Sequence, residues 1–495
     1  MASVNRASLR RSFEEQKRTF ERLKRDGAMT PESIALIDAL MTLLELLIAV
    51  FMEKTTTRTG RNSGLPSSRA PQDETARGTP GARGRGPKEN AAAATNTRVV
   101  TSRDESVVEQ CWSCGADLAG AACAGHERRT LIDIVFETVE HHVDAQIKRC
   151  PRCRAETRGR FPGNMPGPLQ YGPGIRAWAV HLLVAQMVSL KRVAQSLKVL
   201  TGRAVAEATL LSYIAKLHHA LAEWEDAAVE RLLAMPAIHV DETSLRVDRK
   251  NHWIHVYAAG GISLKVLHPR RGCEAIEAIG IIPRYQGVLI HDCWASYLSY
   301  GHCRHALCGA HLARELAFVV EAHGHAWARR MRSLLLEACH QVAQRDDRTL
   351  SAKQYKALRR RYRTILTQAK KELPEIPPRA DGQRGRIAKS DAHNLWERLK
   401  TYEAEVLRFA QDPDVSFTNN RAERDLRMSK VKQKVSGCFR TGTYAHAWCR
   451  ISSYLQSAAA QGYNPLVAIQ IALAGNAANL IDNPQQPNSQ ITNQK

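Results

Sequence analysis

"AIHVDETSLRV", Ala237–Val247, is where the periodicity of the chain changes. From Tyr171 to Leu233, apolar residues recur at three and four spacing, as in "AWAVHLLVAQMVSLKRVAQSLKVLTGRAVAEATLLSYIAKLHHAL", the pattern of amphipathic helices. At Ala237 the period drops to two: Ile238 and Val240 alternate with polar neighbours, as in a half-buried strand. Three more β-rich runs follow with turns between them, "HWIHVYAAGG" (His252–Gly261), "SLKVLH" (Ser263–His268) and "GVLIHDCW" (Gly287–Trp294). After Ala310 helical spacing returns. It is strongly basic around "KALRRRYRTIL" and broken by the Pro-rich "ELPEIPPRADGQRGR". A strand block between helical blocks predicts a multidomain α/β protein.

The 495 residues suffice for several domains and a sizeable core. Lys and Arg number 71 against 49 Asp and Glu, a net charge of +22, which favours a polyanionic partner, most simply nucleic acid. Charge alone also fits a basic structural or RNA-packaging protein. The N-terminus is charged for about thirty residues and carries no secretory pattern. The apolar run Ile34–Met52 is interrupted by Asp38 and Glu45, while Ile37, Leu40, Leu44, Leu47 and Phe51 fall on a heptad seam. That predicts helix–helix dimerisation and no membrane span. Residues 54–105 are rich in Thr, Ser, Gly, Pro and Arg, and read as a disordered basic linker.

"CWSCG" and "CPRC" place Cys111, Cys114, Cys150 and Cys153 in two C-x-x-C knuckles. Four thiolates in that pattern can close one structural zinc site, with a β-hairpin expected between the pairs in "TLIDIVFETVEHHVDAQIKRC". Cys123 and His126 lie outside the knuckle spacing. Further on, "LKRVAQSLKVLTGRAVAEATLLSYIAKL" reads as helix, turn at Thr201–Gly202, helix. Reading a major groove and simple packing both fit that pattern.

Asp241 closes the stretch "AIHVDE" and Asp292 closes "GVLIHD". Carboxylates on rigid strands are well placed to hold cations. A third oxygen ligand would permit two-metal phosphoryl transfer. "TNNRAERDLRMSKVKQK", Thr418–Lys434, offers Glu423 inside a basic helix. Asn420 to Glu423 also has capping-box spacing, so a purely structural role stays open. Glu242 and Asp425 are rival carboxylates, and Glu242 should face the other side of the sheet from Asp241.

"HVDETSLRV", "GVLIHDCWASY", "CGAHLARELAF" and "TNNRAERDLRMSKVKQKVSGCFRT", in this order, resemble the landmarks of transposases of the insertion-sequence-66 family over about residues 105–475. The resemblance implies a ribonuclease-H-like catalytic domain with an Asp-Asp-Glu triad of Asp241, Asp292 and Glu423. It implies two Mg²⁺ ions (or Mn²⁺), support from Cys308 and His311 of a C-x-x-H signature and from Asn419 and Asn420, and phosphate contacts by Arg421, Arg424, Arg427, Lys430, Lys432 and Lys434. It also implies double-stranded DNA as transposon ends and target, a homo-oligomer, small accessory proteins of the same element, and a bacterial cytoplasmic, nucleoid-associated setting. Cys308 and His311 equally fit a buried thiol and a packed histidine, with a second zinc site through Cys303 as a further option. The long N-terminal linker departs from the family pattern. Thr418 stands where an aspartate often precedes the paired asparagines. The expected organisation is a helical coiled-coil segment (1–53), the linker (54–105), a zinc ribbon (106–165) and a helix-turn-helix-like DNA-binding domain (166–232). The catalytic domain follows (233–443), with a helical insertion at about 324–400, then C-terminal helices and a polar tail (444–495). The leading expectation is a DNA transposase; the alternative is a non-catalytic DNA-binding regulator or an inactive remnant.

Overall fold

The computed structural model describes residues 106–129, 137–376 and 389–482, with Leu131 and scattered positions between 19 and 104. The heptad seam apart from Ile37, the 54–105 linker apart from Asp104, and residues 377–388 lie outside the described residues. The chain divides into two compact units. One takes in Ala310–Asp346 and Leu350–Glu403; the other takes in Thr75–Gly309, Asp347–Thr349 and Ala404–Lys495.

The larger unit begins with a small antiparallel hairpin, β1 (Ile147–Arg149) and β2 (Glu156–Arg158). Four helices follow: α1 (Pro173–Val180), α2 (Leu190–Thr201), α3 (Glu207–Ala220) and α4 (Ala222–Leu233). The turn between α2 and α3 starts at Gly202, which caps α2 in the left-handed region at φ 69°. The buried face of α3, through Leu210, Tyr213, Ile214 and Leu217, is spent on packing into the core.

β3 (Ala237–Val247), β4 (Lys250–Ala259) and β5 (Ile262–His268) form an antiparallel meander. The β3–β4 turn is the two-residue kind: Val247 pairs with Lys250, and both Asp248 and Arg249 have positive φ, matching the right-handed twist of the strands. After α5 (Cys273–Ile279), β6 (Val288–His291) pairs parallel with β3. After α6 (Ala295–Leu298), β7 (Arg304–Leu307) pairs parallel with β6. The sheet order is β5-β4-β3-β6-β7, with β4 alone running against the rest. All four expected β-rich runs lie in this sheet.

From Gly309 the chain enters the helical unit through α7 (Gly309–His323), α8 (Ala326–Ala343), α9 (Ala352–Ala369) and α10 (Asp391–Thr401). Trp327, Met331, Leu335, Tyr362 and Leu395 are buried there, and the Tyr362 hydroxyl donates to the Leu399 carbonyl at 2.8 Å. α11 (Glu403–Leu407) leads back to the sheet unit, which ends with α12 (Asn420–Ser436), α13 (Gly442–Ala460) and α14 (Pro465–Leu473). α13 covers edge strand β5. Its Ser453 and Ser457 hydroxyls accept the Lys265 and Ser263 backbone N–H groups at 2.8 and 3.0 Å, occupying donors an edge strand would otherwise expose. One apolar core runs through α1–α4, the sheet, α12, α13 and α14.

Candidate active site

Asp241 is not the last residue of its strand. β3 runs on to Val247 because β4 stays paired with it to the hairpin turn. What ends at this level is the partner on the other side: the last β3–β6 pair is His239 with Ile290. Asp241 and Asp292 each lie two residues beyond that pair, so both carboxylates stand where the parallel strands part. The mouth at the carboxyl ends of parallel strands is the usual place for a ligand in an open α/β sheet.

The chain turns sharply after Asp292. Cys293 has φ 76°, rare for a residue with a side chain, and the Trp294 N–H donates to Asp292 Oδ1 at 3.1 Å. His291 underpins this turn. It is fully buried, and burial pushes its pKa down to about 3, so the ring is neutral. Its Nδ1 accepts the Cys293 N–H at 3.1 Å, which leaves the proton on Nε2 to donate to His305 Nδ1 at 3.1 Å. His305 in turn reaches the Tyr300 carbonyl through Nε2 at 3.2 Å.

The third element is α12. Its first turn is pinned to β3 by Asn419, which is 1 % exposed. The Asn419 amide donates to the Val240 carbonyl at 2.8 Å, and its oxygen accepts from His239 Nδ1 at 2.9 Å. Cys308, one residue past β7, joins the two sides. Its N–H donates to the His291 carbonyl at 2.8 Å, and its sulfur accepts the Asn419 N–H at 3.1 Å. The helix start that bears Glu423 is thus tied to β3, which bears Asp241, and to the end of β6, which leads into Asp292.

This geometry bears on the capping question. The N-cap is Asn419, its side chain makes no capping bond, and Glu423 is the fourth helical residue, one beyond the capping-box position. Burial, then the negative charges of Glu242 and Asp292, then that of Glu423, hold the Asp241 carboxyl well above the usual carboxylate range. The charge of Asp425 falls instead on Lys265, Arg421 and His239.

Glu242 points the other way, as alternation requires. Its side chain is 2 % exposed, takes the Tyr297 hydroxyl at 2.6 Å, and receives Arg271 through Nε at 2.9 Å and Nη2 at 2.6 Å. Arg271 lies over the Trp294 and Trp253 rings at 4.4 and 5.0 Å. Glu242 is therefore bound in an ion pair beneath the site.

The basic residues of α12 divide by face. Arg424, Arg427 and Lys434 are exposed, as is Asn420 at the first helical position, and Lys430 is half-buried. Arg421 turns inward and donates to the Ile262 carbonyl at 3.0 Å, and Lys432 is half-buried over the Phe439 ring at 5.3 Å. His311 lies in the first turn of α7, within the helical unit. It is buried, and burial with the Arg314 and Arg398 charges pushes its pKa down to about 3. Cys303 is a buried thiol donating to the Tyr285 carbonyl at 3.2 Å, with its pKa pushed up to about 11 by burial.

The cysteine pairs form two matching turns. The Cys111 carbonyl accepts from Gly115 and the Cys111 N–H donates to Ala116; Cys150 does the same with Arg154 and Ala155. In each turn the first sulfur accepts backbone N–H groups from the residues two and three positions on, Ser113 and Cys114 or Cys153 and Arg152, which lowers its pKa. The two pairs are not gathered within ligand distance of one another. A hairpin, β1–β2, wraps the second pair and the first pair sits beside a single bridge, Gln110 to Asp117; of the stretch between the pairs where a hairpin is expected, residues 130 and 132–136 lie outside the described residues.

Sequence reading missed the His291–His305 pair, the Arg271–Glu242–Tyr297 group and the joining role of Cys308. Only the Asn419–Asn420 pair at the start of α12 gave a local signal. No described helix is long and apolar enough to cross a membrane. No curated protein matches the chain. The model of the transposase IS66 family matches residues 168–447, more than half of the chain, a span that contains Asp241, Asp292 and Glu423. This chain belongs to the transposase IS66 family.

Proposed function

We propose that the chain is a DNA transposase of the Asp-Asp-Glu type, with Asp241, Asp292 and Glu423 as its metal-holding carboxylates. The observation that carries this reading is geometric: Asp241 and Asp292 each lie two residues beyond the last β3–β6 pair, and the Asn419 and Cys308 bonds tie the start of the helix bearing Glu423 to those same two strands. Buried like charges persist when a cation completes them, so the donor set, all carboxylate oxygen, fits Mg²⁺ or Mn²⁺. Two such ions, when bound, activate a water or a 3′-hydroxyl and stabilise the leaving oxygen of an in-line displacement.

The chain's own residues set the stage for that displacement. Asp241 is fixed by strand pairing, Asp292 by the turn over His291, and Glu423 by the Asn419 bonds to β3. The three acids act as ligands and not as nucleophiles, so no covalent protein–DNA link forms. Arg424, Arg427 and Lys434 face solvent on the same helix as Glu423 and would meet backbone phosphates of a transposon end. The sheet order, with only the second strand reversed, supports a ribonuclease-H-like catalytic domain. One structural Zn²⁺ held by Cys111, Cys114, Cys150 and Cys153 is part of the same proposal; the matching C-x-x-C turns support each pair as a ligand knuckle, and binding would have to draw the two pairs together. Self-association through residues 1–53 and small accessory proteins belong to the same proposal.

The test is incubation of the purified protein with a labelled transposon end and Mg²⁺. A nick leaving a 3′-hydroxyl, lost on adding EDTA and regained with excess Mg²⁺, is expected. Cutting that EDTA leaves untouched would remove the metal mechanism.

A further inference from the structure

We infer that helix α9 of the helical unit is a second DNA-binding surface, one that grips the phosphate backbone of a duplex without reading its sequence. The helix starts cleanly, with a complete capping box between Ser351 and Gln354. Between Ala352 and Ala369 it carries Lys353, Lys356, Arg359, Arg360, Arg361 and Arg363, and no acidic residue.

These six cations fall into two sets. Arg359 and Arg363 share Glu403, through Nε contacts of 2.7 and 2.8 Å, and Arg361 makes a two-pronged bond to Glu337 at 3.0 and 2.8 Å. Those three are already matched by acids of their own unit. Lys353, Lys356 and Arg360 are exposed and have no carboxylate partner among the described residues. They stand at i, i+3 and i+7, which puts them on one stripe spanning about 10 Å of the helix axis. The stripe continues through Thr364 and Thr367, both exposed, short and uncharged.

A stripe from which acids are excluded, while the three neighbouring arginines are held by two acids, Glu403 and Glu337, fits a ligand that is itself a row of negative charges. Duplex DNA supplies one, and three cations at this spacing can each approach a separate phosphate. The three cations face solvent with only Thr364 and Thr367 beyond them on the stripe, and cation contacts to phosphates carry no sequence information, so a surface that works through phosphates alone binds independently of sequence. This surface would hold target or flanking DNA. It takes duplex DNA as its partner, as the transposase reading does, but its test needs no cleavage.

The experiment compares the full chain with a Lys353→Ala, Lys356→Ala, Arg360→Ala triple variant for binding to a labelled duplex of arbitrary sequence. Affinity is measured by fluorescence anisotropy over a range of salt concentrations. Alanine keeps helix propensity, and circular dichroism confirms the fold. Each phosphate contact contributes about 0.9 to the slope of log affinity against log salt, so the triple variant should be shallower by about 2 to 3. A charge-preserving triple variant, Lys353→Arg, Lys356→Arg, Arg360→Lys, should keep the wild-type slope. An unchanged slope in the alanine variant would overturn the inference. So would equal loss in the charge-preserving variant, or unchanged DNA binding alongside loss of binding to an acidic protein. Failure of metal-dependent nicking, by contrast, would strike the transposase reading and leave this slope to be read on its own.

Discussion

Changing Glu423 to Gln keeps the shape of the side chain and removes its charge. A carboxylate and a divalent cation about 4 Å apart interact by about 8 kcal/mol at an effective dielectric near 20. If half of that is lost from the reacting state, with the Gln oxygen still facing the cation, cleavage slows by about a thousandfold. The folded protein without metal should respond in the opposite sense. Glu423 is one of the charges that raise the Asp241 carboxyl, so its removal relieves repulsion and stability should hold or rise slightly. Binding to a transposon end should stay within about twofold, because Arg424, Arg427 and Lys434 remain. The assays are single-turnover nicking with saturating Mg²⁺, anisotropy for binding, and urea unfolding. Asp425→Asn is the matched control and should cut at near wild-type rate. Glu423→Gln cutting within tenfold of wild type would refute the reasoning, and an inactive Asp425→Asn beside it would move the third ligand two residues along.

Four further outcomes follow from the same structure. Glu242→Gln replaces a buried carboxylate that pairs with the half-exposed Arg271 and accepts the Tyr297 hydroxyl, and should cost about 1 kcal/mol in urea unfolding, read against a surface Glu→Gln control that costs nothing measurable. Lys265 is 1 % exposed with its pKa lowered to about 8, so between about pH 8 and 10.5 the unfolded chain binds more protons and stability rises with pH; Lys265→Met should abolish a rise of up to about 3 kcal/mol. Cys150→Ser should reduce bound zinc from one equivalent to near zero by metal analysis and expose residues 106–160 to proteolysis, while wild-type protein with under half an equivalent would remove the zinc site. Deleting residues 1–53 should lower the mass seen by light scattering and leave metal-dependent nicking detectable; an unchanged mass would place self-association elsewhere.

Much of the sheet was legible because its strands alternate or run apolar over short, turn-bounded stretches. Asp241 and Asp292 stood out for the same reason, as carboxylates set into such stretches. The run Ala237–Val247 matches β3 end to end; what did not hold is the reading of Asp241 as the close of the strand, because β4 stays paired with β3 to Val247. The partners of Glu242 were hidden, since Arg271 and Tyr297 reach it from other loops and the bond depends on tertiary packing. On α12, charge alone could not tell Arg421 and Lys432, which lie inward, from Arg424 and Arg427, which do not. The β1–β2 hairpin around the second pair was not foreseen, because the C-x-x-C turn is itself a hairpin tip and its strands form on either side of Cys150 and Cys153.

The central claim, that Asp241, Asp292 and Glu423 hold one set of cations, can be tested without DNA. Fe²⁺ in place of Mg²⁺, with ascorbate and peroxide, generates radicals that cut the backbone beside a bound ion. The account predicts cuts near residues 241, 292 and 423 in the same preparation, suppressed together by excess Mg²⁺ and by Glu423→Gln. Cuts confined to other segments, or cuts at 241 and 292 that persist unchanged in Glu423→Gln, would contradict it.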